Sequence, residues 1–203
     1  MTAHVLPPRS GSARTLRRSI LHILSITCFV GAAIMLGKAS WIHVKAQVAQ
    51  VLMERAFSQS LASGDIVKAW NWADTWPVAK VSIARLGEEA IVLQGASGEA
   101  LAFGPALLNE TPRPGERGTS VISAHRDTHF SFLKDVVAGD IVTITRNDGL
   151  QFRYRVTNTR VAAWDKSGID RHAPGFNLVL STCYPFDAVT RGTQRYLVEA
   201  VME

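Results

Sequence analysis

The chain has 203 residues, 47% of them hydrophobic, and a formal net charge of +5. That length admits one domain plus a short accessory segment. The positive charge is concentrated at Arg9, Arg14, Arg17 and Arg18, and the rest of the chain is mixed, which disfavours nucleic acid as a partner.

Residues 1–18 read as a disordered basic tail. From Ile20 to Gly37 there is no formal charge, and Ile, Leu, Val, Ala, Phe and Met dominate. With residues 39–44 beyond Lys38, the stretch is long enough for a hydrocarbon core of roughly 30 Å. Lys38 can snorkel and Trp41 suits an interface. A single-pass anchor is therefore expected over 19–44. The arginines before it place the N-terminus in the cytoplasm and the rest of the chain outside. A cleaved signal peptide is the rival reading, with an apolar region of about 7–15 residues and a small-x-small site. Here the apolar run is longer, and Lys38-Ala39-Ser40-Trp41 is a poor cleavage site.

Trp41, Val44, Val48, Leu52, Ala56 and Phe57 recur at helical spacing, predicting a helix to about Ala62. Ser63-Gly64-Asp65 ends it. Trp70, Trp72 and Trp76 then form an expected packed collar, so 45–77 reads as a juxtamembrane helix and Trp-rich linker. From 78 to 203 the texture is that of short strands, over 79–84, 90–93, 119–124, 141–145, 151–159, 176–182 and 196–201. A helical turn is expected at 97–102, a loop at 109–118 and a short helix at 130–137. The connection 164–172 is polar, with room for another short helix. Asn147-Asp148-Gly149 is a hairpin turn. Phe152, Tyr154 and Val156 alternate with Arg153, Arg155 and Thr157, giving one buried face. Eight or so short strands with few helices predict a mainly β, closed barrel.

Cys183 ends the run Leu178-Val179-Leu180-Ser181-Thr182-Cys183 where the chain turns at Tyr184-Pro185-Phe186. The other cysteine, Cys28, lies in the apolar segment, so Cys183 has no expected disulfide partner. His125 ends an earlier strand, and Arg195 opens the last one. Together they are a nucleophile, a proton carrier and an oxyanion stabiliser. A thiol near pKa ~8.5 needs a proton partner at neutral pH. Histidine supplies it and can then protonate a leaving amine. Arginine never deprotonates. Ser181, Thr182 and Arg191 are expected to meet substrate. Arg191 also rivals Arg195, but the apolar strand after Arg195 favours the latter. The plainer readings are a buried core thiol at Cys183 and a packing thiol at Cys28. His125, His129 and Asp127 could share a helix face as metal ligands, yet no paired ligand set accompanies them, and no metal or cofactor is expected. Asp127 either orients His125 or, the favoured reading, caps the helix near Phe130.

At these residues the chain resembles the sortases, membrane-anchored cysteine transpeptidases. Val179-Leu180-Ser181-Thr182-Cys183 matches the family's Thr-Leu-x-Thr-Cys strand end except at Val179. His125 follows Ala124 where glycine is usual, and Arg195-Tyr196-Leu197-Val198 fits the family's last strand. His125-Arg126-Asp127-Thr128 and Thr182-Cys183-Tyr184-Pro185-Phe186 look closest to class D. The single span and Trp72-Ala73-Asp74-Thr75-Trp76-Pro77 look like class GN sortases of Gram-negative bacteria. The resemblance covers roughly residues 70–201. It implies an eight-stranded barrel that cuts a sorting signal of the Leu-Pro-x-Thr-Gly type. A thioester forms and an amine, not specified by these residues, resolves it. It also implies a site at the cell or inner membrane, with the catalytic domain over 78–203 outside the cytoplasm, in the periplasm of a Gram-negative cell. Two other functions compete. A cell-wall L,D-transpeptidase would place its histidine and cysteine much closer in sequence. A non-catalytic membrane-tethered binding barrel would not need Cys183 to react.

Overall fold

The structure is a computed structural model that describes residues 11–188, 190 and 192–203; for 11–20, 38–40, 42 and 43 it describes the backbone alone. Two compact units are present, residues 1–47 and 48–203. The long helix α1 runs Gly11–Ser63. In the first unit its described apolar side chains face outward all round, with Phe29 76% and Met35 75% exposed. Among the described residues no helix is long and apolar enough to cross a membrane, so the expected span over 19–44 is not shown.

In the second unit, the last part of α1 changes character. Met53 and Phe57 are buried in a cluster with Ile91, Leu93, Ala100 and Ala106. Gly64, at φ +78, ends the helix, and its N–H donates to the Ser60 carbonyl. Of the expected tryptophan collar, Trp70 packs edge-on against Phe103 at 4.8 Å and Trp76 packs against the barrel core. Trp72 is 73% exposed.

The barrel strands are β1 (Pro77–Ile83), β2 (Glu88–Gln94), β3 (Ala106–Leu107), β4 (Gly118–Ser123), β5 (Ile141–Arg146), β6 (Gln151–Ala163), β7 (Phe176–Tyr184) and β8 (Gln194–Met202). They close in the order β1-β2-β3-β4-β7-β8-β6-β5, which is the eight-stranded barrel that the strand pattern predicts. The core is apolar, built on Val81, Ile83, Ile122, Ile144, Tyr154, Leu178, Leu180 and Val198. The short helix α2 (Gly98–Phe103) is capped by Ser97, which accepts from the Ala100 N–H, as its position predicts.

Three local expectations change. The strand β3 lies just ahead of the expected loop, pairing with both β2 and β4. The strand β6 runs beyond 159 to Ala163, with a register shift between Val156 and Asn158. That shift breaks the alternation that marks a strand in sequence. Residues 164–175 form turns and no helix.

The parallel pairing of β4 with β7 sets Ser123 beside Ser181, and the antiparallel pairing of β7 with β8 sets Cys183 beside Arg195. Strand alternation then divides β7. Leu178, Leu180 and Thr182 face the core, whereas Val179, Ser181 and Cys183 face outward.

Candidate active site

The site is built at one end of β4, β7 and β8. There β4 and β7 end and β8 begins, which brings His125, Cys183 and Arg195 to the rim. Cys183 is partly exposed and free of any disulfide. Directly across the ladder is Arg195. On the other flank, the Ala124 N–H donates to the Ser181 carbonyl at 3.1 Å. The Thr182 hydroxyl donates to the Ala124 carbonyl at 2.8 Å, and this bond is buried. His125 is the next residue, and it is exposed. The three expected reactive residues therefore come from positions 125, 183 and 195 to one rim.

Arg195 is anchored at one nitrogen. Its Nη1 donates to the carbonyls of Gly192 at 3.2 Å and Gln194 at 2.9 Å. Aromatic rings back the same end of the barrel. Phe186 packs against Tyr196 at 5.2 Å, and Tyr184 stacks on Tyr196 at 6.3 Å.

The residues expected to meet substrate separate into three cases. Thr182 is 2% exposed, faces the core and spends its hydroxyl on Ala124. Ser181 is 7% exposed but lies on the outward face with Cys183. Arg191 lies outside the described residues. On the same outward face, further from the thiol, a cleft of about 290 Å³ is lined by residues including Thr119, Ile169, Val179 and Glu199. Val121, Val179 and Leu197 make a small buried cluster, covered by Ile169, Leu108 and Ala162.

The histidine segment differs from expectation in one respect. The short helix after it is a 3-10 turn over Ser131–Asp135, and it begins at Phe130 with no side-chain cap. Asp127 therefore does not cap it. The turn is fixed instead by the Phe130 N–H, which donates to the His125 carbonyl at 3.0 Å. Asp127 is exposed, and among the described residues its carboxylate accepts no hydrogen bond. His129 is half-buried. Burial lowers its pKa, the neighbouring His125 lowers it further, and the Ala102 backbone partly opposes both. Among the described residues no group of three His, Cys, Asp or Glu side chains could hold a metal ion.

One residue at the rim was not singled out from sequence. Arg126 reaches the loop between β7 and β8, where its Nη2 donates to the carbonyls of Ala188 and Thr190. No local pattern signals a contact across so much chain.

A thiol, an imidazole and a guanidinium on one open rim can carry acyl transfer. The thiolate attacks a carbonyl, the imidazole moves the proton and the guanidinium faces the developing oxyanion.

Comparison with known proteins agrees with the barrel fold. The family model for the Sortase domain matches residues 81–203. The chain is similar to Sortase D of Bacillus subtilis (strain 168), 28% identical over 120 residues, covering 58% of this chain and 60% of that protein. The match thus spans less than two thirds of that relative's own length. A Clostridium perfringens Sortase D5 transpeptidase shares the fold, with a TM-score of 0.62 at 19% identity over 77% of this chain and 99% of that one. Sortase E from Streptomyces avermitilis is similar with a TM-score of 0.53 and 29% identity, covering 63% of this chain and 88% of that one. The Sortase D match agrees with the class D-like motifs, whereas the class GN placement rests on the residues alone.

Proposed function

Because the chain belongs to the sortase family, we propose that it is a membrane-anchored cysteine transpeptidase acting on a Leu-Pro-x-Thr-Gly-like sorting signal. The observation that carries this reading is the pairing of Cys183 with Arg195 across β7 and β8. The buried Thr182–Ala124 bond draws His125 to the same rim.

In this reading His125 accepts the Cys183 proton as sulfur attacks the threonine carbonyl of the signal. Arg195 meets the oxyanion of the tetrahedral intermediate with the nitrogens not held by loop carbonyls. His125 returns the proton to the leaving glycine amine, and a thioester to Cys183 remains. An incoming amine attacks the thioester and gives up a proton. A new amide forms and the thiol is restored. The outward cleft along β7 and β8 suits an extended peptide approaching the thiol past Ser181, and Arg191 is expected to act on substrate affinity.

The anchor is part of the proposal. Exposed Leu21, Ile23, Leu24, Ile26, Phe29 and Met35 have no protein surface covering them in their unit. Burying such side chains in hydrocarbon is strongly favourable. With the arginines before them, the N-terminus is cytoplasmic and the catalytic domain lies outside, in the periplasm of a Gram-negative cell. Residues 19–44 are the span in this reading.

The test uses the full chain in detergent with a Leu-Pro-x-Thr-Gly peptide and a small amine. Mass spectrometry should find cleavage after threonine and an amide to the added amine. Cleavage elsewhere, or none across varied sorting peptides, would reject the reaction. Protease added to spheroplasts should digest the C-terminal domain, and protection of that domain would reverse the topology.

A further inference from the structure

Arg126 follows His125 directly and is half-buried. Its Nη2 donates to the Ala188 carbonyl and, at 2.8 Å, to the Thr190 carbonyl. Both acceptors lie in the loop that joins β7 to β8. Its Nη1 is shielded from solvent and has no partner among the described residues.

We propose that Arg126 is a positioning residue that latches the β7–β8 loop to the histidine segment, holding Cys183, His125 and Arg195 as one set. The role rests on the reaction proposed above.

Sheet bonds tie the three strands together only as far as the rim. The last ties between the histidine and cysteine strands are made by Ala124, to Ser181 and Thr182. Beyond them the two chains leave the sheet separately. One turns toward Phe130 and the other toward Pro185. Among the described residues, the Arg126 guanidinium supplies the side-chain hydrogen bonds that join them again.

The loop it grips also holds Arg195, whose Nη1 donates to the Gly192 carbonyl of that connection and to the Gln194 carbonyl where β8 begins. The loop is tightly folded at this point, since a Cβ on Gly192 would meet the Tyr184 carbonyl oxygen at 2.5 Å. A shift of the loop would therefore be felt at both of its ends, by the nucleophile and by the oxyanion donor.

That Nη1 finds no partner among the described residues bears on the choice of residue. A buried donor without a partner is unfavourable, and a neutral side chain of similar length would fill the space without leaving one. The two N–H groups of one guanidinium nitrogen point in fixed directions in the plane of the fork, so each meets one carbonyl with little freedom to drift. The side chain thus fits a need to hold the loop better than a need to fill space.

The experiment compares wild type, Arg126→Met and Arg126→Lys in the full chain. Hydrogen exchange is read by segment, and turnover is read with a Leu-Pro-x-Thr-Gly peptide as probe. In Arg126→Met, exchange of the 186–193 amides should rise about tenfold or more while β1 and β5 stay protected. The kcat should fall about tenfold or more with KM changed less than about threefold, because misplaced groups act on the bound substrate. Arg126→Lys should recover part of both. Unchanged exchange over 186–193 would overturn the latch. So would exchange that rises equally in β1 and β5, or a loosened loop with unchanged kcat. If wild type itself fails to turn over any sorting peptide, the proposed reaction fails, and the exchange comparison alone decides whether the latch exists.

Discussion

The hydroxyl of Thr182 donates to the carbonyl of Ala124 at 2.8 Å inside the barrel wall. Each partner is one residue from a side chain of the proposed chemistry, Cys183 on one side and His125 on the other. The bond fixes the separation of two backbones whose sequence positions are far apart, and it does so from the core side, where water cannot compete. This gives a physical reason for threonine before the cysteine. The side chain is 2% exposed, and its hydroxyl satisfies the Ala124 carbonyl.

Thr182→Val keeps the shape and removes the donor. The Ala124 carbonyl is then buried without this partner, at a cost of about 1–2 kcal/mol. The barrel should remain folded, and kcat should fall more than stability accounts for, because His125 loses its backbone register. Thermal unfolding together with peptide turnover checks this. A variant with lowered stability and unchanged kcat would show that the bond serves the fold alone.

Arg195→Ala should lower the acylation rate by about 10²–10³, the usual loss for one oxyanion donor. Arg195→Lys should rescue poorly. The Gly192 and Gln194 carbonyls hold one edge of a planar fork, and an ammonium, with its three donors on one nitrogen, lacks the second, rigidly aimed nitrogen. Single-turnover kinetics with a sorting peptide measures the step. Arg191→Ala should act mainly on KM. If Arg191→Ala damages acylation more than Arg195→Ala, the two roles must be exchanged.

Folding disfavours the charged form of His129, through burial first and the nearby His125 second, against an ordinary value of 6.5. The folded pKa is therefore the lower of the two. At high pH both states hold a neutral ring and no penalty arises. As pH falls below 6.5 the unfolded chain takes up a proton that the folded one resists, so stability declines. The melting temperature of wild type should fall on acidification below that point, and His129→Gln should flatten the decline. Parallel curves for the two proteins would assign the acid sensitivity to other groups.

Much of the barrel was legible in the sequence because its strands obey simple periods. Tyr154 and Val156 are buried and Arg153 and Arg155 are exposed, as alternation requires. Past Val156 the register shift reverses that pattern, and the strand continues through Thr157-Asn158-Thr159-Arg160 without a recognisable signal. The strand β3 has two residues beside Gly104-Pro105, too few for any period. The rim positions of Cys183, His125 and Arg195 follow from strand ends, which sequence marks well. The Asp127 cap failed because the segment closes through a backbone bond to the His125 carbonyl and tightens into a 3-10 turn. Thr182 looked like a substrate contact because it adjoins the thiol. Only the alternation of β7, once its register is known, turns it inward. The reach of Arg126 belongs to the folded chain and has no local signature.

The central claim is that Cys183 forms a thioester with the sorting signal. The most direct measurement is the intact mass of the full chain during reaction with a Leu-Pro-x-Thr-Gly peptide, quenched in acid with no added amine. The account predicts an adduct equal to the peptide up to its threonine, mapped to Cys183, released by hydroxylamine and absent from Cys183→Ala. An adduct at another residue, or turnover near wild type in Cys183→Ala, would contradict it.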